Sequence, residues 1–145
     1  MAPRAEGLRR RASAAGAALA AYLGLVVILF HRAWAAPDRL VVGSGPDSGQ
    51  AIWFLSWAPY AVSHGLNPLF TNHIGYPDGY NLMWNTSMPF VGLLAWPVNA
   101  VFGPFVTYNV VVTLAVALSA LAGYAAARRV GVGRAAAFLG GWLYG

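Results

Sequence analysis

Long uncharged runs alternate along this chain with short pieces rich in charge, proline or glycine. Residues 12–30 carry no charge over 19 positions, and residues 79–127 carry none over 49. A helix that crosses a bilayer needs about 20 mostly apolar residues at a rise of about 1.5 Å each. The first run predicts one membrane helix over 12–31. The second has room for two segments, 87–102 and 105–127, with Gly103-Pro104 as the break between them. A further apolar run opens at residue 135 and reaches only to residue 145, half a span, so the expectation is a fragment of a longer product.

Residues 32–86 read differently. Gly43, Gly45, Pro46, Pro59, Pro68, Pro77 and Gly79 divide them into short pieces. Residues 50–63 are mostly apolar and hold Trp53, Trp57 and Tyr60, too few to span, so the pattern predicts an interfacial helix that Pro59 kinks or ends. Asn67-Pro68 and Pro77-Asp78-Gly79 read as turns. The expected fold class is all-α: a polytopic membrane helical bundle, present as a fragment, with an extracytoplasmic first loop that contains short interfacial helices.

Composition agrees with a membrane protein. Hydrophobic residues make up 59% and charged residues 9%, with a mean hydropathy of +0.57. A soluble domain carries about 25% charged residues, and disordered chains carry more. The net charge of +5 comes from arginines in clusters, which points to membrane topology and away from nucleic acid. With no cysteine, disulfides and thiolate chemistry are excluded.

Arg9, Arg10 and Arg11 put residues 1–11 in the cytoplasm by the positive-inside rule and residue 31 outside. Ala33-Trp34-Ala35 matches a signal-peptide cleavage pattern, but the apolar run before it is longer than such peptides use, which favours an uncleaved anchor. Arg128, Arg129 and Arg134 leave two topologies open. If 87–102 and 105–127 both cross, that basic loop lies outside, against the rule; if 87–102 only dips into the bilayer, it lies inside. Crossing is the working expectation.

The loop holds the polar residues with chemical potential. Asp47 is the sharpest: a carboxylate there can accept a proton from an attacking hydroxyl or hold a hard divalent cation. Asp47-Ser48-Gly49-Gln50 also reads as a helix-capping box, with Asp47 at the N-cap and Gln50 three residues on. Asp78 is explained by its turn. His64 and His73 lie nine residues apart on loops without a recognised ligand spacing, and read as hydrogen-bonded loop histidines. Trp53, Trp57 and Trp84 suit stacking on a sugar or an aromatic belt. Asn85-Thr86-Ser87 matches a glycosylation sequon that its place at a membrane entry discounts. No phosphate loop, dinucleotide fingerprint or nucleophile elbow occurs. No expected span carries an Asp, Glu or Arg, which weighs against a transporter.

The order of short motifs carries a resemblance: Trp53-Phe54-Leu55-Ser56-Trp57, Gly65-Leu66-Asn67-Pro68-Leu69, Tyr76-Pro77-Asp78-Gly79-Tyr80-Asn81-Leu82, Trp96-Pro97, Gly103-Pro104, Tyr108-Asn109 and the stretch from Leu118 to Arg129. Over residues 12–145 this resembles the N-terminal part of bacterial polytopic glycosyltransferases of the GT-C type. The resemblance implies a multi-pass protein of the bacterial cell membrane that transfers a sugar from a polyprenyl-phosphate donor at the outer face. It implies Asp47 as the general base, or as a ligand for a divalent cation, Mg or Mn. Many members show two adjacent acids, whereas here Ser48 follows Asp47. Arg39, His64, Trp53 and Trp57 are the candidate substrate-binding residues. The expected partners are the bilayer and a lipid-linked sugar. The rival readings are a non-catalytic scaffold or binding protein of envelope assembly and, behind it, a transporter or flippase.

Overall fold

A computed structural model describes residues 2–145, with side chains from Ser13 onward. The chain is mostly helical: α1 (Ala2–Leu29), α2 (His31–Ala35), α3 (Pro46–Ser63), α4 (Pro89–Leu94), α5 (Trp96–Arg129) and α6 (Arg134–Tyr144). Between α3 and α4 lie two short strands, β1 (Phe70–Thr71) and β2 (Tyr80–Asn81), and a tight helical turn at Leu82–Trp84. Among the described residues, α5 is the one helix long and apolar enough to cross a membrane by length and composition; Ser13–Leu29 of α1 is a shorter apolar stretch.

The chain divides into two compact units, one formed by residues up to His31 together with Val112–Gly145, the other by Arg32–Val111. In the first, Ala18, Tyr22 and Val26 of α1 form a core with Ala117, Ala120 and Tyr124 of α5 and Ala137 of α6. Small residues let the backbones approach. A methyl group on Gly141 would sit 2.5 Å from the Ala120 carbonyl oxygen and 2.9 Å from the Tyr124 amide. One on Gly123 would stand 3.2 Å from the Gly141 Cα. Tyr22 fills the remaining space: its ring stacks on Phe138 at 4.5 Å, and its hydroxyl donates to the Phe138 carbonyl at 2.8 Å.

The second unit joins helices to irregular backbone and needs polar side chains to do so. Asn109, fully buried, accepts from the Val42 amide at 3.0 Å and donates to the carbonyls of Leu40 at 2.7 Å and Pro37 at 3.3 Å. One side chain thus satisfies three backbone groups of the 37–42 loop, which no regular element would satisfy. Trp57 of α3 donates its indole N–H to the Pro68 carbonyl at 3.1 Å and ties the next loop to the helix.

Several expectations change here. The helix expected over 50–63 begins four residues earlier, at Pro46. Gly45 is its N-cap, at φ 92° and ψ −175°, and Pro46 takes the first helical position, where its missing N–H and fixed φ cost nothing. Asp47 is therefore not the N-cap; it lies in the first turn, and no side chain caps this end. Pro59 does not end the helix, which runs on to Ser63. Its ring frees the carbonyl of Leu55 four residues back. Gly92 of α4 packs at that point, where an added methyl would stand 3.0 Å from the Leu55 oxygen and 3.3 Å from Ala58 Cβ.

The two expected turns are present. Asn67 accepts from the Leu69 amide at 2.9 Å, and Gly79, at φ 75°, turns the chain with its amide bonded to the Gly75 carbonyl at 2.8 Å. The first leads into β1 and the second into β2, which pair as an antiparallel ribbon, Phe70 opposite Asn81 and Thr71 opposite Tyr80, that the helical reading did not foresee. Gly103, at φ 82° and ψ 175°, breaks α5 where Gly103-Pro104 was expected to end a segment. The helix resumes at Pro104, and Thr107 donates to the Gly103 carbonyl at 2.8 Å.

Candidate functional site

Gly45-Pro46 and Gly103-Pro104 use one local device. In each, a glycine at positive φ with ψ near 180° turns the backbone, and the proline that follows starts a helix. Both helix starts border the same cleft. It encloses about 470 Å³ and is lined by Ser44, Gly45, Ser48 and Gly49 at the head of α3, by Ile52, Trp53 and Ser56 one and two turns on, and by Val41, Pro104 and Phe105. Small-molecule sites span about 300–1,000 Å³ and combine apolar walls with a few placed polar groups. The walls here are Val41, Ile52, Trp53, Pro104 and Phe105, and the polar groups are three serine hydroxyls.

Two of the serines, Ser48 and Ser56, are held by hydrogen bonds. Ser48 is buried and takes a hydrogen bond from the Tyr108 hydroxyl at 3.5 Å. Ser56 donates to the Ile52 carbonyl at 3.0 Å and accepts from Asn99 Nδ2 at 3.5 Å. The first amides of a helix lack intrahelical partners, and a glycine N-cap leaves α3 without a side-chain acceptor for them. A ligand with anionic oxygens suits such an end.

The sequence candidates fall into three groups. Trp53 and Trp57 are brought together, with rings stacked at 5.3 Å, and Trp53 alone of the pair lines the cleft. Asp47 is exposed in the first turn of α3; it does not line the cleft, although Ser48 and Gly49 beside it do. Arg39 is solvent-exposed and pairs with its neighbour Asp38 at 3.4 Å. Such a surface pair contributes little to stability.

His64 and His73 gather instead around Tyr60, at ring separations of 4.1 and 5.7 Å, and His73 also meets Trp57 edge-on at 5.2 Å. His64 Nδ1 is hydrogen-bonded to the Tyr60 carbonyl at 2.8 Å. Among the described residues, no three His, Asp or Glu side chains converge as a metal cage requires. The donors among the described residues thus do not fit a dedicated divalent-cation site, and no chemistry is routed through one. Trp84 stands open to solvent, 87% exposed.

Sequence reasoning missed Ser44, Ser48 and Ser56 as cleft residues, and it missed Asn109 as the clamp. A repeated Gly-Pro pair at 45–46 and 103–104 was the available signal for the cleft. For the clamp it was Thr107, Asn109 and Thr113, polar side chains set into an otherwise apolar helix. Compared with known protein families, with curated proteins and with solved structures, the chain matches none.

Proposed function

We propose that this chain is a membrane-embedded sugar-transfer module that receives a polyprenyl-phosphate sugar in the cleft at the head of α3. One observation carries the reading: two Gly-Pro helix starts and the Trp53 ring border a single cleft, one residue from Asp47. The unsatisfied first-turn amides suit the phosphate, the indole face suits a sugar ring, and the apolar walls suit the first units of a lipid tail. Asp47 would accept the proton of the acceptor hydroxyl as that oxygen attacks the anomeric carbon and the lipid phosphate departs.

Unit one supports one membrane topology for this reading. Ala14 and Ala15 of α1 line a groove together with Arg128, Arg129 and Arg134. The middle of α1, around Ala14, thus lies beside the end of α5. With Arg9, Arg10 and Arg11 just before Ala14 in sequence, the positive-inside rule assigns this end to the cytoplasm. On this reading the 87–102 segment takes the alternative topology and dips into the bilayer without crossing. Its helical parts, α4 and the opening of α5 before Gly103, are together shorter than a span.

The test is binding of a polyprenyl-phosphate hexose to the chain in nanodiscs, read by quenching of tryptophan fluorescence and by photo-crosslinking from position 105. Saturable binding that Trp53→Ala weakens roughly tenfold is the expected result. Absence of saturation, or labelling far from the cleft, overturns the reading. In the intact gene product, Asp47→Asn is expected to leave binding in place and lower transfer by about 100-fold or more.

The placement of Asp47 outside the cleft lining favours one other reading, a binding or scaffold protein of the envelope. Retained transfer in the Asp47→Asn variant would select it.

A further inference from the structure

The basic end of unit one carries an inference separate from sugar transfer. The groove there has a volume of about 450 Å³ and is lined by Ala14, Ala15, Tyr124, Ala125, Arg128, Arg129 and Arg134. Arg128 reaches back to the Val132 carbonyl, which holds the loop between α5 and α6. All three arginines are exposed. Residues 13–31 and 112–145 contain no Asp or Glu, so no carboxylate among the described residues of this unit offsets that charge.

A second groove, about 630 Å³, opens from the first and shares Ala14, Tyr124 and Arg134 with it. Its other walls are apolar: Ala17, Ala18 and Ala21 of α1, and Ala135, Phe138 and Leu139 of α6. From Ala14 to Ala21 it follows α1 for about 10 Å along the helix axis. A cationic groove thus adjoins an open apolar groove that runs along the helices.

We infer that this end of unit one binds one anionic phospholipid, its phosphate among Arg128, Arg129 and Arg134 and an acyl chain along the Ala17–Phe138 groove. The inference rests on the membrane location just proposed, and not on sugar transfer. Guanidinium groups pair with phosphate oxygens through two parallel N–H donors, and basic residues at the cytoplasmic surface attract anionic lipids. Free phosphate would use the arginines alone; only a lipid uses both grooves.

The chain is reconstituted with equal amounts of phosphatidylglycerol and phosphatidylcholine, extracted in mild detergent, and weighed intact with its retained lipid. The expected result is retention of phosphatidylglycerol over phosphatidylcholine by roughly tenfold or more. Replacing the three arginines by glutamine (Arg128→Gln, Arg129→Gln, Arg134→Gln) should bring the ratio to about one, while the matching lysine variant keeps most of it. Ala17→Phe, which fills the apolar groove and spares the arginines, should also reduce retention. Excess glycerol phosphate should not displace the lipid.

Equal retention of the two lipids, or enrichment that the glutamine variant leaves unchanged, overturns the inference. Displacement by glycerol phosphate shows a simple anion site instead and also overturns it. Trp53→Ala should leave the lipid ratio untouched, so failure of the sugar-lipid reading and failure of this one are seen separately. A chain that does not float with vesicles refutes the membrane location and this inference together.

Discussion

The two units of this chain solve opposite problems. In the first, the backbone groups within α1, the end of α5 and α6 are bonded inside their own helices, and the task is to bring helices close. Gly123 and Gly141 do this by having no side chain, and the core between the helices is mostly alanine, with Tyr22 and Tyr124 as its large residues. In lipid, where helices gain little from hiding apolar surface, such close packing supplies much of the attraction. The second unit has loops, and its task is to satisfy peptide groups that no helix serves. Asn109, Trp57 and Asn67 each bond a loop backbone group by side chain. Small residues hold the one and polar side chains hold the other, so substitutions of one kind should injure one unit and spare its neighbour.

Gly141→Ala should have the largest effect. Its methyl would meet backbone on α5, which cannot rotate away, and the expected loss is about 3 kcal/mol or more, confined to unit one. Near-UV dichroism of the Tyr22–Phe138–Trp142 stack should collapse on heating well below the wild-type transition. An unchanged melt would show that the helices do not rely on close approach.

Asn109→Leu is the matching change in unit two. It leaves the Val42 amide and two carbonyls without their partner, for an expected loss of about 3 kcal/mol. Proteolysis within residues 37–45 should rise sharply, while the aromatic signal of unit one stays as it was. Cleavage elsewhere, or none, would contradict the clamp.

Gly92→Ala tests whether a tight contact matters as much in unit two. The methyl would press the Leu55 carbonyl that Pro59 leaves without its helical donor, with an expected loss of about 1–2 kcal/mol by denaturant titration. A loss as large as that of Gly141→Ala would erase the distinction between the units. Tyr22→Phe keeps the ring stack and removes one hydrogen bond to the Phe138 carbonyl. The expected loss is about 1 kcal/mol, the smallest of the four. A larger one would make polar bonding, and not packing, the main tie in unit one.

The runs of uncharged residues were enough to expect helix within 12–31 and 105–127 and a break at Gly103-Pro104, where α1 ends at Leu29 and α5 breaks at Gly103, because helix length and apolar content are local properties. Turn chemistry at Asn67-Pro68 and Pro77-Asp78-Gly79 was legible for the same reason: Asn, Pro and Gly act through their own backbone. The start of α3 was misread by four residues because Asp47 and Gln50 form a plausible capping box, and only the path of the incoming chain shows that Gly45-Pro46 does the work instead. Pro59 looked like a stop, yet packing against α4 carries the helix past it.

The candidate site shows the same division. Residue type made Asp47, Trp53, Trp57, His64 and Arg39 candidates, and type was all that one dimension offers. Tertiary structure decided that Trp53 faces a cleft with Ser44, Ser48 and Ser56, that His64 and His73 pack on Tyr60, and that Arg39 pairs with Asp38 in solvent. It also brought Arg128, Arg129 and Arg134 beside Ala14, more than 100 residues away in sequence. Charge and hydropathy are written residue by residue and can be read that way. Which side chains share a cavity depends on where helices stop, turn and touch, and that is set by contacts between residues the sequence keeps far apart.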